Sequence, residues 1–172
     1  MFINIDKDKL KDIKENWLWL IMDPWENQSQ FGYDEDDVKP VDDIDITSWN
    51  APYMEKLIEE KLSLKHSIIV TDYIKLSPSV FHNSLWVSHG NKYGLSIIKN
   101  YMREKKLKKI IYCGFHEQAC VLHRNLGLIN MSKYFDCYIF LDLVCPFPEP
   151  NWEEGIKHQR NGNWYKYIRV TG

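Results

Sequence analysis

The chain has 172 residues, 44% of them hydrophobic and 14% aromatic, which is enough for one globular domain with a substantial core across residues 1–172. Its formal net charge of -2 provides no electrostatic basis for binding nucleic acid or an anionic membrane. The N-terminal residues lack the apolar segment of a signal peptide, and no apolar run approaches the ~18 residues needed to span a bilayer. The four cysteines form no CxxC pair, so we expect reduced thiols and a cytoplasmic location. These cysteines are Cys113, Cys120, Cys137 and Cys145.

The first strongly apolar segment ends at a carboxylate. Residues 6–16 predict a short polar helix or an extended lead-in, and the run WLWLIM at 17–22 is typical of a strand buried on both faces. Because proline cannot continue a central strand, Pro24 places Asp23 at the strand's carboxyl end. There Asp23 either faces a ligand crevice or only caps the following turn.

The middle of the chain alternates between polar and apolar segments. Residues 26–48 form an acidic segment without the spacing of a calcium loop, so we interpret it as solvated surface. A helix is predicted from Thr47 or Ser48 to about Leu62. The later elements predicted here are a strand at 67–73, a loop at 74–83, a short strand at 84–89 and a helix at 93–106.

Residues 109–121, KIIYCGFHEQACV, predict a strand at 110–113, a glycine turn and a helix from about 117 to 131. Cys120 would lie in the first turn of that helix, where backbone N–H groups and the macrodipole favour a thiolate. The same N–H groups could hold an oxyanion. Alternatively, Cys120 is a small buried hydrophobic residue.

The last part of the chain completes the predicted sheet. A strand is predicted at 135–141, closing at Asp142, followed by a proline-rich segment, a possible helical turn at 152–158 and an edge strand at 165–170. This alternation predicts a three-layer α/β fold with an open, mostly parallel sheet and helices on both faces.

Three segments, in this order, resemble the isochorismatase-like cysteine hydrolase superfamily of nicotinamidases, N-carbamoylsarcosine amidases, ureidoacrylate amidases and isochorismatases. LWLIMDPWENQ (18–28) is similar to its strand ending in D-x-Q, and IIYCGFHEQACVL (110–122) to its strand–Gly–x5–Cys-Val element. YFDCYIFLDLVC (134–145) is similar to the strand that follows the cysteine helix. The resemblance covers nearly the whole chain and implies a Rossmann-type, isochorismatase-like fold.

The resemblance implies a nucleophile with its own acid/base group. Cys120 would attack an amide or imide carbonyl, and Asp23 would take the thiol proton and later protonate the leaving amine or activate water. The N–H groups of His116 and Cys120 would hold the oxyanion. The peptide bond Phe115–His116 would be cis, as it tends to be in the family.

The family's catalytic lysine has three candidate positions in this chain. The segment KLSPSVF, beginning at Lys75, matches the local K-x-x-x-S-x-F pattern, but it follows the second predicted strand instead of the third. By the order of elements the position falls at His89, with Lys92 three residues further on. We favour His89; the alternative interpretation is a strand-end histidine without a role.

Other departures from the family concern the pocket. Trp25 replaces the glutamine of D-x-Q, and the D-x-H-x-x-H metal set of nicotinamidases is absent after Asp72. We therefore expect no metal and no other cofactor, and a nicotinamidase is disfavoured. His123 is interpreted as structural, and Glu117 as a charge that favours the helix N-terminus.

Two functions from different classes remain open. The first is a small cysteine amidohydrolase with a small-molecule substrate and a pocket walled by tryptophans, for which Trp25, Trp86 and Trp152 are candidates. The second is a catalytically silent binding or scaffold protein. Thiol redox chemistry is disfavoured because Cys120 has no resolving partner in sequence, although Cys113 on the adjacent strand is not excluded. The resemblance also implies a homo-oligomer, either a dimer or a tetramer.

Overall fold

One parallel sheet organises the part of the chain that the computed structural model describes, residues 1–24, 51–72, 74, 78–145 and 165–171. Its strands are β1 (Phe2–Ile5), β2 (Leu18–Met22), β3 (Ser67–Val70), β4 (Leu85–Val87), β5 (Lys109–Gly114), β6 (Asp136–Val144) and β7 (Tyr167–Val170). They lie in the order β1-β7-β6-β5-β2-β3-β4, and every neighbouring pair is parallel. The predicted open α/β sheet is confirmed, and its described strands are parallel throughout.

Helices pack on both faces of this sheet. They are α1 (Lys7–Asn16), α2 (Ala51–Lys61), α3 (Ser79–His82), α4 (Gly94–Lys105) and α5 (Leu128–Met131). Ile13 of α1 and Phe81 of α3 belong to one buried cluster, whereas Ile98 of α4 and Met131 of α5 belong to the other. The three-layer arrangement is therefore confirmed. No helix in the described part of the chain is both long and apolar enough to cross a membrane.

Strand β2 lies in the middle of the molecule, as its sequence predicts. All five of its residues are buried, and it pairs with β5 on one side and β3 on the other. Trp19 and Ile21 point into one cluster, while Leu18, Leu20 and Met22 point into the other. Because successive side chains of a strand alternate between faces, a continuous apolar run is what a doubly covered strand requires.

The far edge of the sheet differs from the prediction. The predicted edge strand at 165–170 is β7, which lies between β1 and β6, so β1 forms the edge. The short and only partly buried sequence FINI gave no strand signal. Strand β6 also continues past its predicted end at Asp142 to Val144, which pairs with Gly114 of β5. The Asp142 carboxylate accepts a hydrogen bond from the Val170 N–H of β7 at 3.1 Å.

The predicted helix at 117–131 is broken. A π-helical turn, Glu117–Val121, comes first, and α5 starts only at Leu128. Between them the chain bends at Gly127, where a Cβ atom would lie 2.9 Å from the carbonyl oxygens of Leu122 and Arg124. The acidic segment at 26–48, the helix start at Thr47 or Ser48, and the segment at 146–164 lie outside the described residues.

Candidate active site

Asp23 lies at the carboxyl end of β2, where the backbone leaves the sheet. Its N–H donates to the carbonyl oxygen of Val70 at 2.9 Å, so the residue is still tied to β3. Its φ of 40° is in the left-handed region, which aspartate tolerates better than most residues. The side chain is 20% exposed. The carboxylate therefore stands at the edge of the sheet, where parallel folds hold their ligands.

His89 follows β4 and lies against Asp23. Its Nε2 is 3.1 Å from both carboxylate oxygens of Asp23, and its side chain is only 3% exposed. An ionised carboxylate only accepts hydrogen bonds, so the tautomer of His89 that suits an ionised Asp23 is the one with the proton on Nε2. The other ring nitrogen, Nδ1, is buried and has no hydrogen-bond partner among the described residues. His89 is thus held to Asp23 through one nitrogen alone.

Asp72, which directly follows the Thr71 at the end of β3, fixes the backbone of His89. One carboxylate oxygen of Asp72 accepts the His89 N–H at 2.9 Å, and the other accepts a hydrogen bond from Arg124 Nη2 at 2.9 Å. The ion pair links the segment after β3 to the segment after the cysteine turn. Neither residue was singled out for the site from the sequence, although Asp72 is a strand-end carboxylate like Asp23 and could have been found by the same argument.

Cys120 completes a cluster with Asp23 and His89. One ligand-type atom from each residue, the Cys120 Sγ, a carboxylate oxygen of Asp23 and a ring nitrogen of His89, all lie within 4.8 Å of one another. Cys120 is half-buried, whereas Cys113, Cys137 and Cys145 are buried. The structure therefore brings together the three side chains that the sequence analysis named as catalytic.

The environment of Cys120 favours a thiol and not the thiolate expected from the sequence. Burial raises the pKa of Cys120, and the charge and hydrogen bonding of Asp23 raise that pKa further, while Arg124 opposes them. The π-helical turn of five residues is followed directly by only two further helical residues, 122 and 123, so its macrodipole contributes little to a thiolate. A resting thiol needs a base beside it, and Asp23 is in that position.

Backbone hydrogen bonds to β2 and to the residue after β6 fix the start of the turn that carries Cys120. The Phe115 N–H donates to Met22 O at 2.9 Å, and the Cys145 N–H donates to Gly114 O at 3.0 Å. Gly114 has a φ of 104°, and a Cβ atom there would lie 2.1 Å from Met22 O, so only glycine fits this approach. The Phe115–His116 peptide bond is cis, as the resemblance implies.

Two backbone N–H groups of the turn donate hydrogen bonds to carbonyl oxygens. Those of Glu117 and Val121 donate to Cys145 O at 3.0 Å and to His116 O at 3.2 Å. Binding of an oxyanion by the N–H groups of His116 and Cys120 stays a prediction.

Burial dominates the surroundings of two further side chains, Glu117 and His116. Glu117 is 1% exposed and accepts a hydrogen bond from the Tyr167 hydroxyl at 2.5 Å, and its effect as a charge at the helix N-terminus stays a prediction. For His116, burial lowers the pKa to about 4, and the nearby charge of Asp23 opposes the shift. The His116 imidazole is therefore neutral at pH 7.

A polar pocket of about 300 Å³ adjoins the cluster at His89, and the structural interpretation of His123 stays a prediction. The pocket is lined by His89, Gly90, His123, Arg124 and Asn125. Trp86 does not wall this pocket: its indole N–H donates to Thr71 O at 2.5 Å and its ring lines a separate cavity with Ile74 and Leu85. The other expected aromatic residues, Trp25 and Trp152, lie outside the described residues.

Of the three candidates for the lysine position, two lie among the described residues. His89 contacts Asp23, whereas Lys92 is exposed with its Nζ 5.0 Å from the centre of the Tyr93 ring. Lys75 lies outside the described residues.

Comparison with known proteins gives little further information. No protein-family model matches the chain, and no curated protein is significantly similar to it. Among solved structures, the chain is similar to the YcaC gene product of Escherichia coli, described as an octameric hydrolase of unknown specificity. The identity is 13%, the TM-score is 0.49, and the match covers 98% of this chain and 79% of the other.

Proposed function

We propose that the protein is a cysteine hydrolase of the isochorismatase-like type that cleaves the C–N bond of a small amide, ureido or imide substrate. The observation that carries this proposal is the meeting of Asp23, His89 and Cys120 within 4.8 Å at the carboxyl ends of parallel strands. A nucleophile, a base and a group that orients the base are the components of covalent acyl transfer.

In the first half of the reaction, Asp23 takes the proton of the Cys120 thiol. The sulfur then attacks the carbonyl carbon, a C–S bond forms, and the carbonyl π electrons move to oxygen. The N–H groups of His116 and Cys120 hold this oxyanion. When the intermediate collapses, the C–N bond breaks and Asp23 returns the proton to the leaving nitrogen, which leaves a thioester on Cys120.

In the second half, Asp23 takes a proton from water, and the hydroxide attacks the thioester carbon. The C–S bond breaks, the acid product leaves, and the thiol regains its proton. Throughout, the His89 Nε2–H holds the carboxylate of Asp23 in position. An imidazole would thus do what the lysine ammonium does in the family, as a positioning residue and not as the base.

The pocket favours a small polar substrate. Its lining carries the guanidinium of Arg124 and the imidazole of His123, and its volume of about 300 Å³ suits a compact molecule. An aromatic wall formed by Trp25 and Trp152, which lie outside the described residues, stays a prediction. A homo-oligomer in the cytoplasm stays part of the proposal, and exposed Leu85 and Trp86 on edge strand β4 support a protein contact there.

The alternative is a catalytically silent binding protein, which is favoured by the raised pKa of Cys120 through burial and the charge of Asp23. One experiment distinguishes the hydrolase from the silent binding protein. The full chain is incubated with a panel of small amides, ureides and imides, and intact mass spectrometry is used to find a hydroxylamine-sensitive acyl adduct on Cys120. An adduct or product present in wild type and absent in both Cys120→Ser and Asp23→Asn supports the hydrolase, whereas no adduct and no product across the panel supports the silent protein.

A further inference from the structure

The three side chains of the cluster also form a set of metal ligands. A carboxylate, an imidazole and a thiol are the donor types that bind Zn²⁺ in proteins. We propose that Asp23, His89 and Cys120 bind Zn²⁺ reversibly and that the bound ion blocks the nucleophile. The binding stands on the geometry alone, and the inhibition rests on the proposed function. This revises the expectation that the protein binds no metal.

The spacing of the ligand atoms suits one ion. His89 Nε2 is 3.1 Å from the Asp23 oxygens, and all three ligand atoms lie within 4.8 Å of one another. Zinc bonds of about 2.0–2.3 Å in a tetrahedron place neighbouring ligands roughly 3.3–3.8 Å apart. The longest separation therefore has to shorten by at most about 1–1.5 Å for the site to close around zinc, and three protein ligands leave a fourth position for water.

His89 is the residue that makes this binding possible. A lysine ammonium has no lone pair and repels a cation, so a chain with lysine at this position would offer only Asp23 and Cys120 as ligands. An imidazole offers Nε2 as a ligand once its hydrogen bond to Asp23 is given up. With histidine in place of the family's lysine, the site offers three side chains that can each bind a metal ion, instead of a nucleophile, a base and a cation.

The two positive charges of Zn²⁺ are matched by two negative charges on its ligands. The S–H bond of Cys120 breaks, its proton leaves to solvent, and an S–Zn bond forms. The Cys120 thiolate and the Asp23 carboxylate then neutralise the two charges of the ion. Among the described residues, the cation that acts on Cys120 is Arg124, which is already paired with Asp72 at 2.9 Å, and this limits its repulsion of the metal.

The surroundings favour reversible binding over a permanent zinc centre. A histidine that holds a resident zinc usually donates its second N–H to an acceptor. When Nε2 of His89 binds zinc, its Nδ1 must carry the proton, and this atom is buried with no partner in the described part of the chain. The cost of that unpaired donor weakens the site.

The test uses the full chain, stripped of metal by a chelator and titrated with Co²⁺ alone as a spectroscopic probe for the zinc site. We expect one Co²⁺ per chain, a thiolate-to-cobalt charge-transfer band in the near ultraviolet, and loss of the band on adding Zn²⁺. Cys120→Ser should lack the band. His89→Lys should bind Co²⁺ at least tenfold more weakly, whereas the neighbouring His123→Gln should bind it as wild type does.

Zn²⁺ protection of Cys120 against iodoacetamide, reversed by EDTA, is the second measurement and uses only the wild-type chain. Absence of the charge-transfer band, absence of protection, or equal weakening by His123→Gln and His89→Lys would overturn the proposal. Hydrolysis is measured separately in EDTA. A chain that binds Co²⁺ but cleaves nothing refutes only the proposed function, and one that cleaves amides without binding metal refutes only the zinc site.

Discussion

The imidazole of His89 lies 3.1 Å from both carboxylate oxygens of Asp23, although the two residues are 66 positions apart in the sequence. The contact exists because β2 and β4 flank β3 in a parallel sheet, so their carboxyl ends meet at one edge. In the proposed chemistry, this contact orients the base through a group that could also bind a metal.

Replacing Asp23 by asparagine should change the reactivity and the catalysis of Cys120 in opposite directions. Burial and the negative charge of Asp23 raise the pKa of the thiol, so removing the charge lowers that pKa. Alkylation of Cys120 by iodoacetamide at pH 8 should become several-fold faster. Hydrolysis should fall by about 10²–10⁴-fold because the general base is lost. Parallel loss of both rates would contradict the assignment of Asp23 as the base.

The rate of Cys120 alkylation should keep rising with pH and should not level off near neutral pH. Because burial and Asp23 raise the thiol's pKa, the thiolate fraction keeps growing as the pH rises through and beyond the ~8.5 of an ordinary thiol. The rate, measured by mass spectrometry in EDTA, should therefore still increase between pH 9 and 10. Cys113, Cys137 and Cys145 are buried and provide the internal control, since they should stay unlabelled while the chain is folded. A plateau below pH 8 would instead indicate the activated thiolate expected from the sequence.

The strand ends could be predicted from the sequence, but the charge environment between them could not. The run WLWLIM followed by Asp-Pro identified β2 and placed Asp23 at its end, and the order of elements led to His89. The pKa of Cys120 was predicted in the wrong direction because burial and the Asp23 contact depend on tertiary packing. The break before α5 was also missed, since apolar periodicity continues across Gly127 while the backbone turns.

Arg124 and Asp72, which form an ion pair, should shift the pKa of the Cys120 thiol in opposite directions. Arg124 lowers the pKa of Cys120 and Asp72 raises it, both as smaller effects than burial and Asp23. Arg124→Met should slow alkylation of Cys120 at pH 8 by a few-fold, and Asp72→Asn should accelerate it. Asparagine keeps an oxygen for the His89 N–H, so the backbone contact at 2.9 Å survives in that variant. The rates are measured in EDTA, and a change of the same sign in both variants would refute an electrostatic origin.

Gly114 should be essential for the fold around the site, and Gly90 provides a matched control. An alanine at Gly114 would have a φ of 104° and a Cβ atom 2.1 Å from Met22 O, so the β2–β5 contact must open. We expect Gly114→Ala to lower the free energy of unfolding by about 3 kcal/mol or more, measured by urea denaturation. A Cβ atom at Gly90 meets nothing within 4 Å, so Gly90→Ala should change that free energy by less than about 1 kcal/mol. Equal stability of the two variants would show that β5 does not approach β2 as closely as described.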